Sequence, residues 1–144
     1  MRYLGLDLGS KTLGVAVSDE SKTIASVLST IRFSGEDYDS LIPTLKKIIQ
    51  EESVEKIVLG YPLNMNGTVG PRAEITLAFK EKLEREIQIE VVMEDERLTS
   101  VISNQILISA DLSRKKRKKK VDGLAAQLIL QSYLDRKGGI KNER

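Results

Sequence analysis

The first quarter of the chain alternates between apolar and polar positions in the manner of strands. Tyr3 to Leu8, Leu13 to Ser18 and Thr23 to Phe33 are short, apolar-rich runs, and the third is enriched in β-branched residues (Ile24, Val27, Thr30, Ile31). Gly9-Ser10-Lys11-Thr12 separates the first two as a turn. Three strands with short connections predict an antiparallel meander. The period then changes. Leu41, Leu45, Ile48 and Ile49 fall at helical spacing behind Asp39 or Ser40 as a candidate N-cap, with Pro43 tolerable in the first turn. Lys56 to Gly60 reads as a buried strand, Ile75, Ala78, Phe79 and Leu83 as an amphipathic helix, and Ile87 to Met93 as another strand. Leu98, Val101, Ile102, Ile106 and Leu107 predict a third helix opened by Thr99 or Ser100. A last helix carries Ala125, Ala126, Leu128, Ile129 and Tyr133 and is expected to end near Gly138-Gly139.

The order β-β-β-α-β-α-β-α-α predicts an α/β fold. A meander followed by parallel strands on right-handed crossovers gives a mixed five-stranded sheet with helices on both faces. The 144 residues fit one domain, placed at 1–138, with 139–144 as a frayed tail. No apolar stretch approaches the roughly 20 residues that span a bilayer, so no membrane partner is expected. The apolar segment between Arg2 and Asp7 is too short for a secretory signal.

Composition changes the picture through two absences. There is no cysteine and no histidine. That excludes Ser-His-Asp and Cys-His nucleophile systems and the usual ligands of structural zinc, and it makes a reducing cytoplasm the default compartment. An enzyme of this composition works through carboxylates, lysine, hydroxyls or a hard metal bound by oxygen. Net charge is only +2, but Arg114, Lys115, Lys116, Arg117, Lys118, Lys119 and Lys120 form an unbroken cationic run. The other 16 basic residues face 21 acidic ones, a net of −5. A negative body with one concentrated basic segment suits a polyanionic partner; the alternative is a solvated loop.

Three acids stand where charge is unexpected. Asp7 lies inside the strand pattern Leu4-Gly5-Leu6-Asp7-Leu8-Gly9, and must find solvent, a cation or backbone donors in the next turn. Glu94-Asp95-Glu96-Arg97 follows an apolar strand. There Asp95 and Glu96 sit either at a site-building strand end or simply ahead of a helix N-terminus. Asp122 precedes Ala125, Ala126, Ile129 and Tyr133 at helical spacing, so it lies on the apolar face, unless it serves only as an N-cap. Gathered together, such acids need cations between them, and oxygen donors suit Mg²⁺ or Mn²⁺. Two such ions can activate water against a phosphodiester. The Gly60-Tyr61-Pro62-Leu63-Asn64-Met65-Asn66-Gly67 stretch reads as a sharp exit from the sheet into a long loop. Arg72 beyond it, with Lys11 and Arg97, is a candidate phosphate contact. Gly9-Ser10-Lys11-Thr12 is not a P-loop, because Ser10 replaces the required glycine and a strand follows. Asp7-x-Gly9 with Gly14 is similar to the phosphate turn of actin-like ATPases, but this chain is too short for their two domains.

Asp7-Leu-Gly9-Ser-Lys11-Thr-Leu-Gly14, Gly60-Tyr-Pro62-Leu-Asn-Met-Asn-Gly67 and Asp95-Glu96-Arg97-Leu-Thr99 run in order along the chain. Ser113-Arg-Lys-Lys-Arg-Lys-Lys, then Asp122 with Leu124-Ala-Ala, and Ile129-Leu-Gln-Ser-Tyr133-Leu follow them. Together they resemble the YqgF family, known as pre-16S ribosomal RNA nucleases or Holliday junction resolvases. Only Gly123, at a helix start, is unusual. The resemblance implies a ribonuclease-H-like fold and a nuclease processing the 5′ end of small-subunit ribosomal RNA. Asp7, Glu96 (with Asp95 adjacent) and Asp122 would be its acids, and the basic run would be a flap over nucleic acid. Alternatives are a DNA junction resolvase, which favours a homodimer over a monomer, a non-catalytic RNA-binding ribosome-assembly factor, and nucleotide hydrolysis on an actin-like half.

Overall fold

The computed structural model describes residues 1–35, 37–96 and 114–142, excepting the side chains of 114–122 and 138–142. Strands β1 (Arg2–Leu8), β2 (Thr12–Ser18) and β3 (Ala25–Arg32) form the antiparallel meander. A 3-10 turn (Tyr38–Ser40) leads into helix α1 (Leu41–Glu52), followed by β4 (Val54–Tyr61), α2 (Pro71–Ile87) and β5 (Glu90–Asp95). A long helix, α3 (Arg114–Asn142), closes the described chain. The sheet order is β3-β2-β1-β4-β5, with β4 parallel to β1 and β5 parallel to β4. This is the mixed five-stranded sheet that the pattern predicts. The helix expected over Leu98 to Leu107 lies outside the described residues, as does Arg97. Among the described residues no helix is long and apolar enough to cross a membrane.

The alternation along β1 divides the fold into two faces. Leu4, Leu6 and Leu8 join Leu13, Val15, Ile57 and Leu59 beneath Leu41 and Leu45 of α1 and Phe79 and Leu83 of α2. Each such side chain contributes about 1.5–3 kcal/mol on burial, so this face carries most of the hydrophobic stabilisation. The opposite face is built of smaller residues. Ala16, Ala25 and Val58 pack against Ala126, Ile129, Leu130, Tyr133 and Leu134 of α3. Small residues let the helix come close. A Cβ on Gly5 would lie 2.7 Å from Leu130 Cβ and 2.9 Å from the Ala126 carbonyl oxygen. Gly123 has the same explanation, since a Cβ there would lie 2.9 Å from Val27 Cγ1 on β3.

Several boundaries differ from the sequence expectation. α3 begins at Arg114, so the basic run forms its first two turns instead of preceding it; lysine and arginine are good helix formers. The helix also passes Gly138-Gly139 and continues to Asn142. β3 starts at Ala25 because Asp19 accepts the backbone N–H groups of Thr23 (2.8 Å) and Ile24 (3.1 Å), holding both in a turn. Ile87 belongs to α2, which ends where Gln88 turns left-handed (φ 61°). Ser40 stands at the N-cap position of α1 without capping it; its hydroxyl donates to the Asp37 carbonyl at 2.8 Å.

Gly5→Ala tests the close packing. The carbonyl it would strike belongs to the α3 backbone and cannot rotate away, so the helix must lift. We expect a loss of about 1–3 kcal/mol in unfolding free energy by urea titration. An unchanged midpoint would mean that α3 accommodates a methyl group freely.

Candidate active site

The strand alternation that buries Leu6 and Leu8 on one face puts Asp7 on the other, beneath α3. Its neighbours in the sheet carry no side chains. Asp7 pairs with Gly14 on β2, and the pairing of Leu6 with Leu59 brings it level with Gly60 on β4. A Cβ on Gly60 would meet Ile129 Cδ1 at 2.6 Å and Glu96 Oε2 at 2.9 Å. The Glu96 side chain therefore lies across Gly60, beside Ile129 of α3. Gly60 lies within β4, as the strand expected over Lys56 to Gly60 has it, and the chain leaves the sheet one residue later, after Tyr61. The missing side chain of Gly60 is the space that Glu96 occupies. Glycine inside a strand is a known mark of close approach, and that signal is present in the sequence.

Glu96 and Asp7 share a side-chain hydrogen bond. Burial, then the charge of Asp7 and that hydrogen bond, push the Glu96 carboxyl up to about 8. Asp95 adds to this more weakly, and the Arg72 guanidinium opposes it. Near neutrality one proton is shared between two carboxyl groups that cannot both ionise cheaply at this separation. Arg72, near the start of α2, donates to the Leu8 carbonyl at 2.9 Å, which fixes its guanidinium at the end of β1. Thr76 holds the same turn by donating to the Arg72 carbonyl at 2.9 Å. Lys11 is exposed in the β1–β2 turn, at the same end of the sheet.

The expected site residues thus fall into three groups. Asp7 and Glu96 meet, with Arg72 close by. Strand alternation assigns Asp95 to the face of Val91 and Met93, opposite Glu94, while its charge still reaches Glu96. Asp122 and the basic residues Arg114 to Lys120 lie on α3, but their side chains are outside the described residues, and Arg97 is outside altogether. The backbone still locates Asp122. Its neighbour Gly123 lies over Val27 and Thr30, and Thr30 pairs with Gly14, the partner of Asp7. The turn of α3 that carries Asp122 therefore crosses the sheet at the level of Asp7. Glu94, singled out only as part of the acidic stretch, is buried against α3.

Among the described residues no group of three or more acids, histidines or cysteines surrounds one point. The Asp7–Glu96 pair nevertheless fits a hard divalent cation. It offers only oxygen donors, and it is half-buried with one negative charge compensated by an exchangeable proton.

Comparison with known proteins follows from this geometry. The family model described as RuvX, Holliday junction resolvase, matches residues 1–136. A protein of Geobacillus kaustophilus named as a candidate pre-16S rRNA nuclease is 54% identical over 137 residues, covering 95% of this chain and 99% of that one. A Bacillus subtilis protein of the same name is 50% identical over 135 residues, covering 94% and 98%. Among solved structures, Thermus thermophilus RuvC in complex with a Holliday junction substrate aligns with a TM-score of 0.59 at 13% identity, over 96% of this chain and 97% of that one. The fowlpox virus Holliday junction resolvase aligns with a TM-score of 0.53 at 15% identity, over 94% and 99%. At these identities the likeness concerns the fold, and it is the ribonuclease-H-like fold expected.

The shared proton sets a pH dependence. An ordinary glutamate releases its proton near 4.5, and folded Glu96 near 8. Between those values the folded chain holds more protons than the unfolded one. The contribution of this pair to stability is full below about pH 4.5 and is lost as pH rises towards 8. In chelator-treated protein we expect the melting temperature to fall over that interval, and Asp7→Asn to flatten the fall. A calorimetric profile identical for wild type and Asp7→Asn would contradict the pairing.

Proposed function

The chain belongs to the RuvX Holliday junction resolvase family, and from that premise we propose that it is a metal-dependent nuclease in 5′-end processing of pre-16S ribosomal RNA. The observation that carries this reading is the half-buried Asp7–Glu96 pair held together by one proton. Asp7, Glu96 and Asp122 would hold Mg²⁺, or Mn²⁺ in its place. Such an ion neutralises the acids, polarises a phosphoryl oxygen and lowers the pKa of a water molecule.

The chain's own residues account for the rest. Asp7 and Glu96 give up their shared proton when a cation replaces it, so cation binding strengthens as pH rises. Ile129, fully buried against Gly60, covers one side of the Glu96 carboxylate. Arg72, tethered to Leu8, and exposed Lys11 contact phosphates at the sheet's active end, with Arg97 as a further contact. Arg114, Lys115, Lys116, Arg117, Lys118, Lys119 and Lys120 bind the backbone of a longer duplex or fold. A water molecule acidified by such an ion would be the nucleophile, a route that requires neither histidine nor cysteine.

Relatives at 54% and 50% identity named for pre-16S rRNA favour an RNA substrate; this reading takes it to be structured RNA, cut in the cytoplasm by a monomer. The family's description favours a second reading, a DNA junction resolvase acting as a homodimer on paired strands. Labelled RNA and four-way DNA junctions, incubated side by side with Mg²⁺, separate the two.

Asp7→Asn and Asp122→Asn are each expected to reduce cleavage to background while leaving the far-ultraviolet circular dichroism spectrum intact. Full activity in purified Asp7→Asn would favour a non-catalytic assembly factor. Replacing four cations of the basic run with glutamine should make log K against log [salt] shallower, by about 0.9 for each duplex phosphate no longer neutralised. An unchanged slope would remove the run from the interface.

A further inference from the structure

Glu94 is 1% exposed, an unusual position for a carboxylate, and it faces α3 from β5, the side of the sheet on which Glu96 also lies just past the strand's end. Its partners come from α3. Ser132 Oγ donates to Glu94 Oε2 at 2.8 Å, and Arg136 Nη1 donates to the same oxygen at 2.9 Å. Arg136 Nη2 lies 2.6 Å from Oε1, a charge contact that lacks hydrogen-bond geometry. Ser132 and Arg136 are one helical turn apart, so both reach the same strand position. Across the sheet, the same helix is tied to β3. Gln127 Nε2 donates to the Ala25 carbonyl at 3.0 Å, and Gln131 Oε1 accepts the Ala25 N–H at 2.8 Å. α3 is therefore fastened at both edges of the sheet, and between them the small Gly5, Ala16 and Val58 on the sheet side let it lie close.

We propose that Glu94, gripped by Arg136 and Ser132, is a positioning residue that sets the register of α3 on β5 and so aligns Asp122 with Asp7 and Glu96. The proposal rests on the nuclease reading above. Glu94 lies on β5 and Glu96 follows directly after the strand's last residue, while Arg136 follows Asp122 by fourteen on one helix, so the contact joins the elements that carry the acids. Hydrophobic packing alone would hold α3 on the sheet; an ion pair whose carboxylate is buried and whose guanidinium is half-exposed adds direction. Its best-attested role elsewhere is to select one alignment among several of similar stability. One-ångström displacements of a catalytic group cost about 10²-fold in rate.

The test uses Glu94→Gln and Arg136→Lys in the full chain, assayed well below their melting temperatures. Glu94→Gln keeps size and hydrogen-bonding capacity but loses the charge. We expect its kcat to fall about 10- to 100-fold with KM within twofold of wild type, because the phosphate contacts lie elsewhere. Mn²⁺ alone, followed by electron paramagnetic resonance, should bind about tenfold more weakly. Arg136→Lys, which keeps the charge, should recover part of both. A lower melting temperature with unchanged kcat and unchanged Mn²⁺ affinity would reduce the pair to a structural brace and overturn the proposal. Wild-type protein that binds Mn²⁺ but cleaves nothing, like its Asp7→Asn control, would sink the nuclease reading instead; the Mn²⁺ comparison would still judge Glu94.

Discussion

A helix can lie close to a sheet only where neither surface carries side chains that hold them apart, and much of this structure follows from that. β1 and β4 present Gly5 and Gly60 to α3, and α3 answers with Ala126, Ile129 and Leu130. The close contact does two things at once. It provides a second core in which the sheet contributes small residues and α3 the larger Ile129, Leu130 and Tyr133, and it covers the Glu96 carboxyl enough to keep its proton near neutrality. Larger residues at these points would stabilise a more conventional sandwich and leave no sheltered place for two acids to meet.

Glu94 and Glu96 share a face and a helix, yet the fold neutralises them differently. Glu94 receives a guanidinium from Arg136, a cation that the chain itself supplies and cannot release. Glu96 receives a proton held jointly with Asp7, which solution can remove. Buried carboxylates need some form of compensation. A fixed counter-ion makes a brace, whereas an exchangeable one leaves room for a different cation. Arg72 stands between these cases: it lies near enough to temper the raised Glu96, while its bond to the Leu8 carbonyl ties it to β1.

Much of this is legible in the amino-acid sequence, and the exceptions have physical causes. The meander, the parallel strands and the anomaly of Asp7 follow from local period, because alternating leucines leave no doubt about which face Asp7 takes. The contact between Asp7 and Glu96 is not local. It depends on the register of β1 against β4 and of β4 against β5, which no single strand reveals. The role of Gly60 is not local either, since only the neighbouring segment shows what its missing side chain accommodates. The choice between Asp95 and Glu96 turns on where β5 stops: a strand ending at Met93 leaves both acids in a loop, whereas one continuing to Asp95 gives them opposite faces. The start of α3 comes earlier than the apolar pattern implies, because lysine and arginine favour the helix even where their charges are crowded.

That two-residue interval at the end of β5 has an evolutionary corollary. Parity along a strand works like a reading frame: substituting a residue alters one side chain, whereas adding or deleting one inverts every side chain beyond it. A single-codon deletion between Val91 and Met93 would carry Glu94 and Glu96 to the α1/α2 side and swing Asp95 beneath α3. A lineage descending from this fold can therefore vary the chemistry of β5 with some freedom, but its length is held far more tightly than its spelling.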